Sequence, residues 1–210
     1  MSLMTTWGYT IKDASALGQL VSVDDFNTMT AGKYIGDMRA PEMLRAAAMS
    51  IRNYCGWHVY PEHVCIYSER LLMGNGRIKR AGTDYLIQLP AACVSEVCSV
   101  MIGDKAWTDF DCAPNGMLRL FDAVGMDLTR KTAVIVEYKA GIPDGSMPVI
   151  LDLLSSRAIR GLSGTNGVSS ESAGGVSISY SSNWVNSSGA GALQSTDMEI
   201  LEPYKLREVF

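Results

Sequence analysis

Apolar residues recur at helical spacing between Pro41 and Gly56. Leu44, Ala47, Ala48, Ile51, Tyr54 and Cys55 form one stripe, with Arg45 and Arg52 off it. Pro41 suits a first helical turn, where its missing N–H costs nothing, and Gly56 ends the pattern. A shorter helix is expected from Ser22-Val23-Asp24-Asp25, which resembles a capping box, to about Met29. The Gly-containing stretch from Thr30 to Ala40 reads as a loop. A second long helix is expected after Ser146-Met147-Pro148, where Val149, Ile150, Leu153, Leu154, Ala158 and Ile159 cover most of the surface. Such a helix is buried, in the core or against another subunit.

Between these helices the period changes. Val64 to Tyr67, Asp84 to Leu89, Val94 to Ile102, Met117 to Phe121 and Ala133 to Tyr138 are short β-rich runs. Gly74-Asn75-Gly76, Gly82, Gly103-Asp104, Pro114-Asn115-Gly116 and Gly125 punctuate them. The spacing predicts an antiparallel sheet or small barrel of about five to six strands. About half of the residues from Ser163 to Ser195 are Ser or Gly, too polar to bury much surface. Within that stretch Val176, Ile178 and Tyr180 alternate with serines and form a candidate strand-addition segment. Thr196 and Glu199 carry a last capping-box signature, opening a short helix that Pro203 curtails.

The expected fold class is α+β: a small helical bundle with an inserted antiparallel β module and a Ser/Gly-rich loop before a short C-terminal helix. We expect a single domain over 4–210, the β module at 58–143 and a flexible loop at 163–195. Met1-Ser2-Leu3 reads as a vector scar ahead of a native start at Met4, and no signal peptide is expected.

Charge narrows the functional classes. The 18 Lys and Arg against 22 Asp and Glu leave a net charge of −4. A protein that grips DNA through phosphates needs a basic surface, and the chain as a whole lacks one. Arg77, Lys79 and Arg80 form the only dense basic cluster, a candidate for facing DNA in a channel or an acidic partner. Five cysteines, an odd and dispersed set, suit free thiols in a reducing compartment.

Cys55, His58, His63 and Cys65 include both histidines and ligand types that suit zinc, but Cys-x2-His-x4-His-x-Cys is not a common zinc spacing. Gly74-Asn75-Gly76 lacks the Gly-Lys-Ser/Thr of a phosphate loop and reads as a hairpin turn. No Gly-x-Ser-x-Gly elbow occurs. The expectation is no catalytic residue, no metal and no cofactor. Trp57 and Trp107 suit packing, whereas Trp184, in the Ser/Gly stretch, is a candidate interface anchor together with Tyr204 and Leu206.

Several separated motifs, in one order, carry a family resemblance. The run Ala46-Ala47-Ala48-Met49-Ser50-Ile51-Arg52-Asn53-Tyr54-Cys55-Gly56-Trp57-His58 resembles the first long helix of phage head–tail connector (head-completion adaptor) proteins. Leu86-Ile87-Gln88-Leu89-Pro90, Val97 to Gly103 and Gly116-Met117-Leu118-Arg119-Leu120 follow as in that family. Val134 to Gly141 with Ile142-Pro143 is similar to the segment leading into its second long helix. Gly167 to Gly175 with Val176 to Tyr180, and Leu201-Glu202-Pro203-Tyr204-Lys205-Leu206, match later features. The resemblance covers about residues 22 to 207. It departs at Leu128-Thr129-Arg130-Lys131, where such families often carry Trp-Pro.

The resemblance implies a non-enzymatic subunit of a phage or prophage virion neck, present in the host cytoplasm before assembly. It implies a ring of identical subunits, usually twelve, beneath the portal protein. The ring passes double-stranded DNA without specific binding and docks a stopper or tail-completion protein, with no membrane involved. The alternatives are another small virion or tail protein acting as a binding module and, further off, a thiol- or zinc-dependent enzyme.

Overall fold

Along Ala133–Ala140 every second side chain is buried: Val134, Val136, Tyr138 and Ala140 face inward, and Ala133, Ile135, Glu137 and Lys139 lie between them. That period of two is what a strand with one covered face requires. The computed structural model describes residues 2–14, 17–18, 20–70, 77–123, 133–143, 148–163, 170–173, 176–179 and 193–207. The chain divides into a β-rich unit (Met1–Leu17, Cys55–Ser146 and Tyr204–Phe210) and a helical unit (Gly18–Tyr54 and Met147–Pro203).

The β-rich unit holds strands β1 (Leu3–Met4), β2 (Tyr9–Ile11), β3 (His63–Arg70), β4 (Ile78–Ala81), β5 (Asp84–Gln88), β6 (Val94–Ile102), β7 (Lys105–Trp107), β8 (Phe110–Cys112), β9 (Met117–Leu120) and β10 (Ala133–Ala140). One sheet runs β1-β2-β3-β10-β6-β7 and a second runs β4-β5-β9-β8. All neighbours pair antiparallel. Buried side chains from the first sheet include Ile11, Tyr67, Val100 and Val136, and from the second Ile87, Leu118 and Leu120. More strands form than the pattern predicted, because β1, β2, β4, β7 and β8 are two to four residues long. Leu3, read as part of a scar, pairs with Ile11.

Gly141 shows why this unit needs particular residues. Its φ is +137°, and a Cβ there would overlap the Pro61–Glu62 backbone. Its neighbour Ile142 donates its N–H to the carbonyl of Val59 at 2.8 Å, and Val59 is held at φ +66°. A β-branched residue rarely takes that conformation unless the surroundings impose it.

The helical unit contains α1 (Val23–Met29), α2 (Ala40–Cys55, whose last residue belongs to the β-rich unit), α3 (Pro148–Ser163) and α4 (Ser195–Leu201). It also holds a hairpin of β11 (Ser170–Ala173) and β12 (Val176–Ser179). The α+β class therefore stands, but "small helical bundle" overstates this unit: only α2 and α3 are long, and α1 and α4 have seven residues each. On α2 the expected stripe is buried except for half-buried Tyr54, and Arg52 joins it, donating to the Gly18 carbonyl at 2.8 Å. On α3, Ile150, Leu153, Leu154, Arg157, Ala158 and Leu162 are buried, while Asp152 and Ser156 are exposed. Its surface is thus one covered face, not apolar all round.

Two caps differ in detail from expectation. Ser22 Oγ accepts the Asp25 N–H at 3.0 Å, as a cap should, but Asp25 turns its carboxylate to the Ser22 hydroxyl instead of the backbone. At α4 the reciprocal carboxylate is Asp197, accepting the Gln194 N–H at 2.8 Å, not Glu199.

Candidate functional site

The C-terminal end of α2 leaves carbonyls that the helix itself cannot satisfy. Gly56, at φ +78°, turns the chain out of the helix. The Cys55 carbonyl is then met by the Leu206 N–H at 2.8 Å, and the Trp57 indole N–H donates to the Tyr204 carbonyl at 2.8 Å. Trp57 is fully buried, so this hydrogen bond satisfies its only polar atom. Tyr204 and Leu206, half-buried, therefore use their backbones to fasten the C-terminal segment to this corner.

His58 is fully buried next to that corner. A carbonyl only accepts, so Nε2, 2.9 Å from the Ala140 oxygen, carries the proton. Nδ1 then accepts from the Tyr9 hydroxyl at 2.7 Å, and that hydroxyl accepts the His58 backbone N–H at 3.0 Å. Both ring nitrogens have protein partners. His63 lies nearby, its ring centre 5.6 Å from that of His58. Among the described residues no group of three or more His, Cys, Asp or Glu is disposed to hold a metal ion. Burial pushes the Cys65 thiol up to about 12 and that of Cys112 up to about 11, and it raises Cys93 and Cys98 as well. Thiols so shifted stay protonated at neutral pH and make poor nucleophiles.

The basic cluster does not share a face. Successive residues of a strand point to opposite sides, so Lys79 and Arg80 diverge on β4. Arg80 folds along its own hairpin, Nε donating to the Gly82 carbonyl at 3.1 Å. Arg77 lies within electrostatic range of Tyr138; burial raises that phenol well above its ordinary range, and the Arg77 charge acts in the opposite sense. Strand alternation sets Arg80 on the side opposite Lys79, whereas Arg77, two residues before Lys79 on the same ladder, falls on the Lys79 side.

Of the strand-addition segment, Val176 and Ile178 pair with Ala173 and Glu171 of β11, a partner strand from the same chain that sequence reading missed. Tyr180 and Trp184 lie outside the described residues, as do Gly74-Asn75-Gly76 and Leu128 to Lys131. Sequence reasoning also missed three features: the acidic edge strand β8, the shallow cleft between it and Val94–Val97 of β6, and the buried pair of Arg157 with Asp197. The one signal in the sequence was the pair Asp109 and Asp111 flanking Phe110.

No helix among the described residues is long and apolar enough to cross a membrane. No family model matches the chain, and no curated protein matches it.

Proposed function

We propose that the chain is a structural head–tail connector subunit of a tailed phage or prophage. In this reading it is not an enzyme. Identical copies form a ring in the virion neck, under the portal protein. The ring extends the DNA channel and receives a stopper or tail-completion protein on its other side. A net charge of −4 suits a channel through which DNA slides without being held.

One observation carries the reading. Two of the segments that resemble the connector family, Ala46 to His58 and Leu201 to Leu206, lie far apart in sequence yet interlock through the Leu206–Cys55 and Trp57–Tyr204 hydrogen bonds. The motifs that suggested the family thus depend on one another physically. The test is electron microscopy and native mass spectrometry of the purified chain, alone and with a portal ring. Closed rings with an open centre that stack on the portal are expected. A chain that stays monomeric and ignores the portal would overturn the proposal.

A further inference from the structure

The second sheet ends in two strands whose outer sides form no ladder with a described strand, β4 at one end and β8 at the other. Their charges are opposite. Exposed Lys79 and Arg80 lie on β4, whereas β8 carries exposed Asp111 and follows exposed Asp109. The charged groups lie along the edges themselves. Arg80 bonds the Gly82 carbonyl at its own turn, and Asp111 Oδ1 accepts the N–H of Cys112 at 2.8 Å.

The hydrogen-bond phase of each edge can be read from its neighbours. The Gln88 N–H donates to the Arg77 carbonyl. In an antiparallel pair the bonded positions alternate, so Arg77, Lys79 and Ala81 turn their backbones toward β5, and Ile78 and Arg80 turn theirs outward. At the other edge, Phe121 N–H donates to the Asp109 carbonyl and Ala113 N–H to the Met117 carbonyl. Asp109, Asp111 and Ala113 therefore face β9, and Phe110 and Cys112 point outward. That is why the Cys112 N–H takes the Asp111 carboxylate as its partner.

Four antiparallel strands in a row make β4 and β8 run in opposite directions. A second copy set head-to-tail thus brings its β4 antiparallel to β8. We infer that β4 of one copy adds to β8 of the next, continuing the sheet across the boundary between copies. The rows of the sheet fix the register. Lys79, Leu86, Arg119 and Asp111 stand in one row. Continuing it sets Lys79 of the second copy opposite Asp111, its Arg80 opposite Phe110 and its Ile78 opposite Cys112. In this register the outward backbone groups of Phe110 and Cys112 meet those of Arg80 and Ile78, as an antiparallel ladder needs; the Cys112 N–H exchanges the Asp111 carboxylate for the Ile78 carbonyl, which releases that carboxylate to Lys79.

Charge selects this arrangement over its rivals. Pairing β4 with β4, or β8 with β8, opposes like charges, which destabilises a cross-strand contact. β8 faces Val94–Val97 of β6 across a cleft that narrows where the Val94 N–H donates to the Pro114 carbonyl at 2.9 Å, and β7 covers only Val100 to Ile102 of β6, so an added strand enters this cleft from the Phe110 end. A head-to-tail contact closes into a ring or runs on as a filament. Only the closure rests on the connector reading; the strand contact does not.

The test compares the association of the full chain with that of Lys79→Glu, Asp111→Lys and the two combined, by native mass spectrometry and light scattering at low salt. Each single reversal should weaken association about tenfold or more, and the combined reversal should restore it, since each contact then again joins opposite charges. A second readout needs no charge argument. Lys79 and Asp111 would form a non-hydrogen-bonded pair, with Cα atoms about 4.5 Å apart, close enough for a disulfide. The Lys79→Cys, Asp111→Cys double variant should therefore give covalent multimers on oxidation. Rings that form equally in all charge variants and resist this cross-link would overturn the contact while leaving the connector reading intact. A wild-type chain monomeric at every concentration would overturn both.

Discussion

Asp84 in the β-rich unit and Asp197 in the helical unit each meet one arginine, in opposite surroundings. Asp84 accepts both Nε and Nη2 of Arg119, and its other oxygen takes the Asp122 N–H and the Thr83 hydroxyl. The Arg119 side chain is 54% exposed and lies over the Phe121 ring. Asp197 and Arg157 are each only 5% exposed, and Arg157 Nε has no hydrogen-bond partner. The first pair decorates strands that their ladders already hold. The second fastens α4, and a seven-residue helix is marginal without tertiary support. Asp197 both caps α4 through the Gln194 N–H and docks it on Arg157. Helix formation and attachment are thereby tied to one carboxylate.

The largest expected effect follows from that coupling. Asp197→Leu strands a buried guanidinium, which typically costs about 3–5 kcal/mol. Urea unfolding should show the loss, and hydrogen exchange should show protection disappearing across α4. Replacing both partners, as Arg157→Met with Asp197→Leu, should recover most of the stability, because an apolar pair leaves no buried charge. Wild-type stability in the single variant would show that the pair does not hold the helix.

A second pair of substitutions sharpens the contrast. Leu118 on β9 and Leu201 on α4 are both fully buried. Leu118→Ala should cost about 2–5 kcal/mol and destabilise the whole β-rich unit, because its neighbours are fixed by pairing on both sides. Leu201→Ala should act locally, with faster exchange confined to the C-terminal segment, since α4 can leave before the rest unfolds. Equal loss of protection in both units after Leu201→Ala would remove the distinction.

The parts of the fold legible in the sequence are those whose local pattern and tertiary role coincide. The α2 stripe and the alternation in β10 are examples, since burial repeats with the period of the element itself. The short strands β7 and β8 were not legible, because three residues carry little pattern and pairing supplies what holds them. The same applies to β1 and β2. Arg52 and Arg157 defeat a hydrophobic pattern for another reason. A charged residue is read as exposed unless its partner is known, and those partners, the Gly18 carbonyl and Asp197, lie far away in sequence. In the basic triplet, adjacency in sequence sets Lys79 and Arg80 on opposite sides of a strand. The edge polarity of the second sheet emerges only once the strand order sets β4 and β8 at opposite ends.

The smallest effect expected is the acid response of Asp84. The Arg119 hydrogen bonds, with the Asp122 N–H, hold its carboxyl below the usual carboxylate value of 3.8. A group whose folded pKa is depressed stabilises the fold above its unfolded pKa and loses that contribution as pH falls through the folded one. Stability from this group should therefore be flat above about pH 5 and decline with acid below the ordinary carboxylate range. Because Arg119 is largely in solvent, screening keeps the contribution small and sensitive to salt. Asp84→Asn should flatten the acid limb of the stability profile, with little effect near neutral pH beyond the loss of the ion pair itself. The comparison with Asp197 is then direct. Added salt should erode the Asp84 contribution and leave the buried pair almost untouched, because ions that screen a surface charge do not reach a guanidinium enclosed by the helical unit. If salt weakened both pairs alike, α4 would have to open often enough to admit solvent, and its docking would be looser than the burial of Asp197 implies.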